Sequence, residues 1–238
     1  MKNKRLKVKS ILSHKTLLGL VAFAMITISI SCEKETCDLS NPVTSTVTDI
    51  EGHVYPTVIF EGQQWMAENL NTSLFANGDS IEQVITDSLW QVTSNAGYAY
   101  YNNDSTRQES LSYGKLYNFN AITDSRNMCP QGWHVSTKSD WDDLVQCMNG
   151  ESRAGIALKD TVVWNAPNQE LATNESQFTA LPQGARTEIG EFTNQRFFAY
   201  FWGVDDDPRI FSMSYISEGV GNFEVDKRFG GSVRCVKD

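Results

Sequence analysis

Two stretches of the chain bring chemistry-bearing residues together. In CPQGWHVSTKSDW, residues 129–141, Cys129 stands five positions before His134. A cysteine nucleophile needs a lowered pKa and a base within hydrogen-bond reach. Along an extended segment this pair would lie about 15 Å apart, and its odd separation points the two side chains to opposite faces. The spacing therefore predicts framework rather than cysteine–histidine chemistry. In WGVDDDPR, residues 202–209, Asp205, Asp206 and Asp207 precede Pro208. Clustered carboxylates are a candidate calcium site, since that ion takes about six to eight oxygens. The spacing matches no EF-hand, and the same run reads as a solvated turn. No GxSxG, HExxH or phosphate-loop pattern occurs, and a chain that is not an enzyme is expected.

The elements that must position these residues begin after an N-terminal leader. Residues 1–31 carry six basic residues and no acid, followed by a fourteen-residue apolar run from Leu17 to Ile30. That pattern predicts a signal peptide, the run being short for a hydrocarbon core of about 30 Å. The junction ISISCEKE resembles a bacterial lipobox with Cys32 as the lipidated residue, although Ser29 stands where Leu is usual. The acidic EKE resembles the surface-export signal of Bacteroidetes lipoproteins. An outer-membrane, cell-surface address is expected, with the periplasmic leaflet as alternative. Residues 32–48 are polar and read as a tether, and the domain is expected over 49–238.

Six of the twenty Lys and Arg and none of the 29 acids lie in the leader, so its removal takes the net charge from −9 to −15. Such a surface repels nucleic acid, which is excluded as a partner. Four cysteines then remain, Cys37, Cys129, Cys147 and Cys235. An even number in an exported chain suggests disulfides, and four allow three connectivities. None forms a CxxC pair, which argues against zinc.

The first mature block, HVYPTVIFEGQQWM, reads as a β-hairpin around Glu61-Gly62, with Pro56 near a sheet edge. Trp65 and Met66 are expected in the core. Residues 71–110 read as long loops with one strand near Tyr98–Tyr101, whose tyrosines form either a sugar-stacking platform or an exposed strand face. Tyr113, Leu116, Tyr117 and Asn120 fall at i, i+3, i+4, i+7 and predict a first helix. Thr137 and Asp140 resemble a capping box. Trp141, Leu144, Val145 and Met148 follow on one face and predict a second helix, ended by Asn149-Gly150. Residues 152–160 suggest one more short helix. Four later β-like runs, FTALPQGAR, RFFAYFWG, RIFSMSYI and GSVRCVKD, predict an antiparallel sheet.

The blocks YPTVIFEGQQWMAENL, YGKLYNFNAI, CPQGWHVSTKSDWDDL, FTALPQGAR, FWG and GGSVRCVKD, in that order, resemble the Fibrobacter succinogenes major paralogous domain of surface lipoproteins. Ser136 departs from the family, which tends to have Pro there. The family in turn is similar to the C-type-lectin-like fold used by formylglycine-generating enzyme. That similarity implies an α+β architecture with two helices, small twisted antiparallel sheets and long loops. The copper-binding cysteines of that enzyme have no match, so its chemistry is not carried over. The lectin-like resemblance implies a Cys129–Cys235 disulfide. Cys37–Cys147 is a candidate second bridge, with Cys147 as a buried thiol the alternative.

Fold does not give function. The export signals and this resemblance lead to an expected cell-surface lipoprotein that binds a glycan or a host or matrix protein. A structural envelope subunit recognising a partner protein is the alternative. The expected ligand site is Tyr200, Trp202, Asp205, Asp206, Asp207 and Arg209, with Arg186, where an exposed aromatic would stack on a sugar. No cofactor is expected apart from the candidate calcium, and the membrane partner is reached through the lipid on Cys32.

Overall fold

The computed structural model describes residues 37, 39, 45–110, 112–165 and 171–238. The chain divides into two units, residues 1–34 and 35–238, and every described residue belongs to the second. The signal peptide and the lipidation site at Cys32 lie outside the described residues. Among the described residues no helix is long and apolar enough to cross a membrane.

The main sheet has five strands in the order β1-β2-β3-β13-β7. These are β1 (Ser45–Thr48), β2 (Val54–Phe60), β3 (Gln63–Met66), β7 (Trp133–Val135) and β13 (Cys235–Lys237), all antiparallel. The β2–β3 hairpin turns at Glu61-Gly62, where both residues have positive φ. β1 covers the edge at which Pro56 was expected, pairing Thr46 with Pro56. The tether is therefore shorter than its composition suggests. STVT is polar, but Thr and Val fit a half-buried pleat well.

A second sheet holds β10 (Phe198–Gly203), β11 (Arg209–Ser214) and β12 (Val220–Glu224). The third has β4 (Glu82–Gln83), β5 (Gly97–Ala99) and β6 (Leu116–Tyr117), and the fourth has β8 (Ala185–Arg186) and β9 (Phe192–Thr193). The four late runs thus do not make one sheet. The last closes the main sheet beside β3 and β7, and β12 is a strand the sequence reading missed.

Among the described residues five α-helices accompany the sheets: α1 (Asp87–Val92), α2 (Ser105–Ser110), α3 (Phe119–Ile122), α4 (Lys138–Cys147) and α5 (Ala154–Leu158). The architecture is α+β. α4 is the expected second helix, and both halves of its capping box are formed. The expected first helix is broken. Leu116 and Tyr117 are in β6, and only Phe119–Ile122 coil, capped by Asn118 Oδ1 accepting from Ala121 N at 3.0 Å. Gly114 enforces the break with φ at 70°, and a Cβ there would meet Leu70 O at 2.6 Å. Left-handed backbone is a conformation that glycine reaches without steric cost.

Core packs on both faces of the main sheet, as the period of two requires. Tyr55, Met66, Val135 and Cys235 join one cluster, whereas Val58, Trp65 and Val236 join the other. β10 repeats the pattern, sending Tyr200 and Trp202 to the first cluster and Ala199 and Phe201 to the second. Trp141 on α4 centres the second cluster, with Trp65, Phe201, Phe211 and Phe178 rings 5.1–5.6 Å away. Each such buried side chain contributes about 1.5–3 kcal/mol.

Both disulfides form. Cys129–Cys235 ties the loop before β7 to the last strand, and Cys37–Cys147 ties the N-terminal segment to the end of α4. At Ser136 the backbone N–H donates to Arg234 O at 2.9 Å, and the hydroxyl accepts from Trp141 Nε1 at 3.0 Å. A proline could donate no such bond.

Candidate functional site

A cleft of about 290 Å³ opens at the His53 end of β2, lined by His53, Tyr55, Glu68, Asn69, Asn71 and Gly114, among others. Its geometry starts at Asp49. One oxygen of this buried carboxylate accepts from Glu51 N and His53 N, each at 2.9 Å, and the other accepts from Tyr55 OH at 2.7 Å and faces His53 Nδ1 at 3.1 Å. Tyr55 OH in turn accepts from Asn71 N at 3.1 Å, and Lys115 Nζ donates to Asn71 O. The Asn71 backbone is thereby held from both sides. Its side-chain Oδ1 is buried and has no hydrogen-bond partner among the described residues. Unpaired buried acceptors are uncommon because they lose hydration without compensation.

Glu51 braces the adjoining loop, accepting from Thr72 Oγ1 at 2.8 Å and from Ser73 N and Oγ at 2.5 Å each. Burial works to raise its pKa, but these bonds outweigh it and hold the carboxyl below the usual carboxylate range. Burial, reinforced by Asp49, pushes the Tyr55 phenol well up, so it stays a donor. A larger concavity of about 440 Å³ beside Asp124 and Arg126 differs in kind. There Arg126 already donates to Asp124 and Asp79 at 2.8–3.0 Å, and Asn120 to Ser94 O at 2.9 Å.

Behind the cleft lies a buried polar network. Asn69 Nδ2 donates to Tyr113 O at 2.9 Å and to Gln183 Oε1 at 3.1 Å, while Gln183 Nε2 donates to Gly114 O at 3.1 Å. Ser232 Oγ donates to Gln183 Oε1. Arg234 donates to Asn69 Oδ1, Met66 O, Phe178 O and Thr179 O, all at 2.8–2.9 Å. These residues come from four separated sequence blocks, WMAENL, YGKLYN, FTALPQGAR and GGSVRC. The blocks thus meet at one place, which explains their types.

The family model of the Fibrobacter succinogenes major domain matches residues 58–237. The chain belongs to that family. No curated protein and no solved structure matches it.

In this major domain the residues expected to bind ligand do not form an exposed site. Trp202 is fully buried and donates from Nε1 to Tyr117 O at 2.7 Å. Tyr200 is buried against Phe198 and Phe229, and its hydroxyl accepts from Asn194 Nδ2 at 3.0 Å. Neither can stack on a sugar, because β10 has core on both faces. Arg186 is fully buried between the Trp90 and Phe192 rings and donates to Gly190 O, Val84 O, Ile85 O and Asp87 Oδ1 at 2.5–3.0 Å. Arg209 clamps β12, donating to Asn222 Oδ1 and Glu224 Oε1 at 3.1 Å each. Asp205, Asp206 and Asp207 are an exposed turn, with Asp205 3.7 Å from Arg209 Nε. Tyr98, Tyr100 and Tyr101 are buried too, so they form neither a platform nor an exposed face.

His134 is part of the framework. On β7 it meets Asp140 Oδ2 at 3.1 Å and Asp238 Oδ1 at 2.7 Å. Among the described residues, two groups bring three ligand-type atoms within 4.8 Å of one another, and Asp205–Asp207 is in neither. One is Cys37, Glu61 and Cys147, whose sulfurs are spent in a disulfide. The other is Asp49, Glu51 and His53, whose hydrogen bonds within the fold account for their proximity. Sequence reasoning passed over Asp49, Glu68 and Asn71 because nothing local marks them. The partners of Asp49 are local, Glu51, His53 and Tyr55, but match no motif, whereas Asn71 is held by Tyr55 and Lys115 from distant chain.

Proposed function

We propose that this protein is a cell-surface lipoprotein, anchored through Cys32, whose domain binds a glycan at the His53–Asn71 cleft without catalysing a reaction. The observation that carries the reading is a preformed polar cleft that Glu68, Asn69 and Asn71 line beside the braced Asp49–Tyr55 hydrogen bonds. The Glu68 carboxylate and the Asn71 side chain line it with polar groups suited to a ligand rich in hydroxyls. An acidic chain disfavours anionic ligands, which points to a neutral sugar. The volume, about 290 Å³, sits at the small end of ligand pockets, roughly 300–1,000 Å³. One sugar unit of a longer glycan suits it. The lectin-like reading of the fold is supported by the resemblance of the sequence blocks and by the disulfide to the last strand.

Saturation-transfer NMR with a panel of neutral mono- and disaccharides tests the proposal. Binding that Asn71→Leu abolishes, in a variant with unchanged cooperative unfolding, is the expected result. A panel without binders, or binding indifferent to Asn71→Leu and Glu68→Gln, would overturn it.

A further inference from the structure

The sequence allots the tether residues 32–48, but the structure shortens it. Cys37 is bonded to Cys147 at the end of α4, its N–H donates to Cys147 O at 3.2 Å, and Leu39 packs against the same core cluster. Cys37 is five residues beyond Cys32. Five residues reach at most about 18 Å whatever path they take. If β1 were instead the first fixed point, the thirteen residues to Ser45 would reach about 45 Å. The disulfide therefore sets the length of the leash, and it sets where on the domain the leash is fastened.

That fastening point lies at one end of β2. Glu61, in the turn just after β2, lies within 4.8 Å of both Cys37 and Cys147 by ligand-type atoms. Phe60, Glu61, Asp143 and Cys147 share one surface concavity. The cleft lies at the other end, where His53 and Val54 line it. Seven residues of strand, Val54–Phe60, separate the two ends by about 20 Å. We infer that the Cys37–Cys147 disulfide holds the Glu61–Asp143 face against the bilayer and turns the His53–Asn71 cleft outward. This rests on the reading of Cys32 as lipidated. It makes the bilayer the partner of that face, and it gives the disulfide a task that fold stability alone does not require.

The test uses the full-length lipoprotein reconstituted in phosphatidylcholine vesicles with an energy-transfer acceptor on the headgroups. A fluorophore carried on an unnatural residue replaces either Asp143 or Ile50, which is exposed at the cleft end. Transfer from position 143 should exceed transfer from position 50. In C37S/C147S, whose leash is about 2.5-fold longer, the difference should be lost while unfolding stays cooperative. Equal transfer from both positions in the disulfide-bonded, acylated chain would overturn the inference alone. Mass spectrometry of the N-terminal peptide separates the two readings, since an unacylated Cys32 would overturn both. Should C37S/C147S not fold, a chain with a long flexible insert between Cys32 and Cys37 keeps the disulfide and should equally abolish the difference.

Discussion

Arg234 shows how a single residue can look functional and be structural. Fully buried, it donates to one side-chain oxygen and three backbone carbonyls. Arg234→Met would fit the volume and leave four acceptors unmet. Urea unfolding should show a loss of about 3–5 kcal/mol, with Arg234→Lys rescuing little, because an ammonium cannot reproduce the planar fork. His134 and Asp140 give a pH signature of opposite senses. The hydrogen bond to Asp140, then that to Asp238, raises the His134 pKa. Its contribution is full below the unfolded value near 6.5 and fades as pH rises through the folded one. Burial opposes ionisation of Asp140, yet His134 and Thr137 hold its pKa at about 2. That contribution is present above about pH 4 and fades as pH falls through about 2. The stability gap between wild type and His134→Gln should be wider near pH 5.5 than near pH 8. Solvent screening limits the difference to about 0.5–1 kcal/mol, and a gap independent of pH would refute it.

At the scale of elements, legibility followed local periodicity. The hairpin around Glu61-Gly62 and helix α4 stand on signals within a few residues, an alternating strand pattern and a capping box followed by one apolar face. Thr137→Ala should therefore lose the bond from Asp140 N, 3.1 Å long, and cost about 1 kcal/mol in thermal or urea unfolding. The residues 113–122 matched a helical spacing by coincidence. Tyr117 instead pairs across β5 and donates to Thr72 O at 2.7 Å, contacts that come from distant chain. Asn118 likewise serves two masters, accepting from Gly97 N at 3.0 Å as well as capping α3. The same non-locality hid the cleft and misplaced the ligand site. An aromatic run such as FAYFWG announces a strand, but only the tertiary fold decides that both its faces are covered. β1 was lost to composition, because Ser and Thr read as tether until a partner strand is present.

For the whole molecule, the two disulfides close loops of nearly the same length, with separations of 106 and 110 residues. A chain-entropy account assigns each about the same stabilisation, roughly 2–4 kcal/mol. Their surroundings differ. Cys129 and Cys235 are buried at 1% and 0% exposure inside the first core cluster, beside Trp133 and Val135. Cys37 is half-buried at the start of the described chain, next to the exposed Glu61. Exchange requires a thiolate to reach a sulfur, and only the Cys37 side of the molecule permits that without opening the core. Dithiothreitol under native conditions should thus open Cys37–Cys147 first and leave Cys129–Cys235 intact. Differential alkylation followed by peptide mass mapping reads the order directly. Simultaneous loss of both bridges would mean that reduction waits on global unfolding, so that Cys37 is as sheltered as the core pair. Selective opening would show that the interior staple stays closed while the fold is intact and that the outer one lies within reach of a reductant.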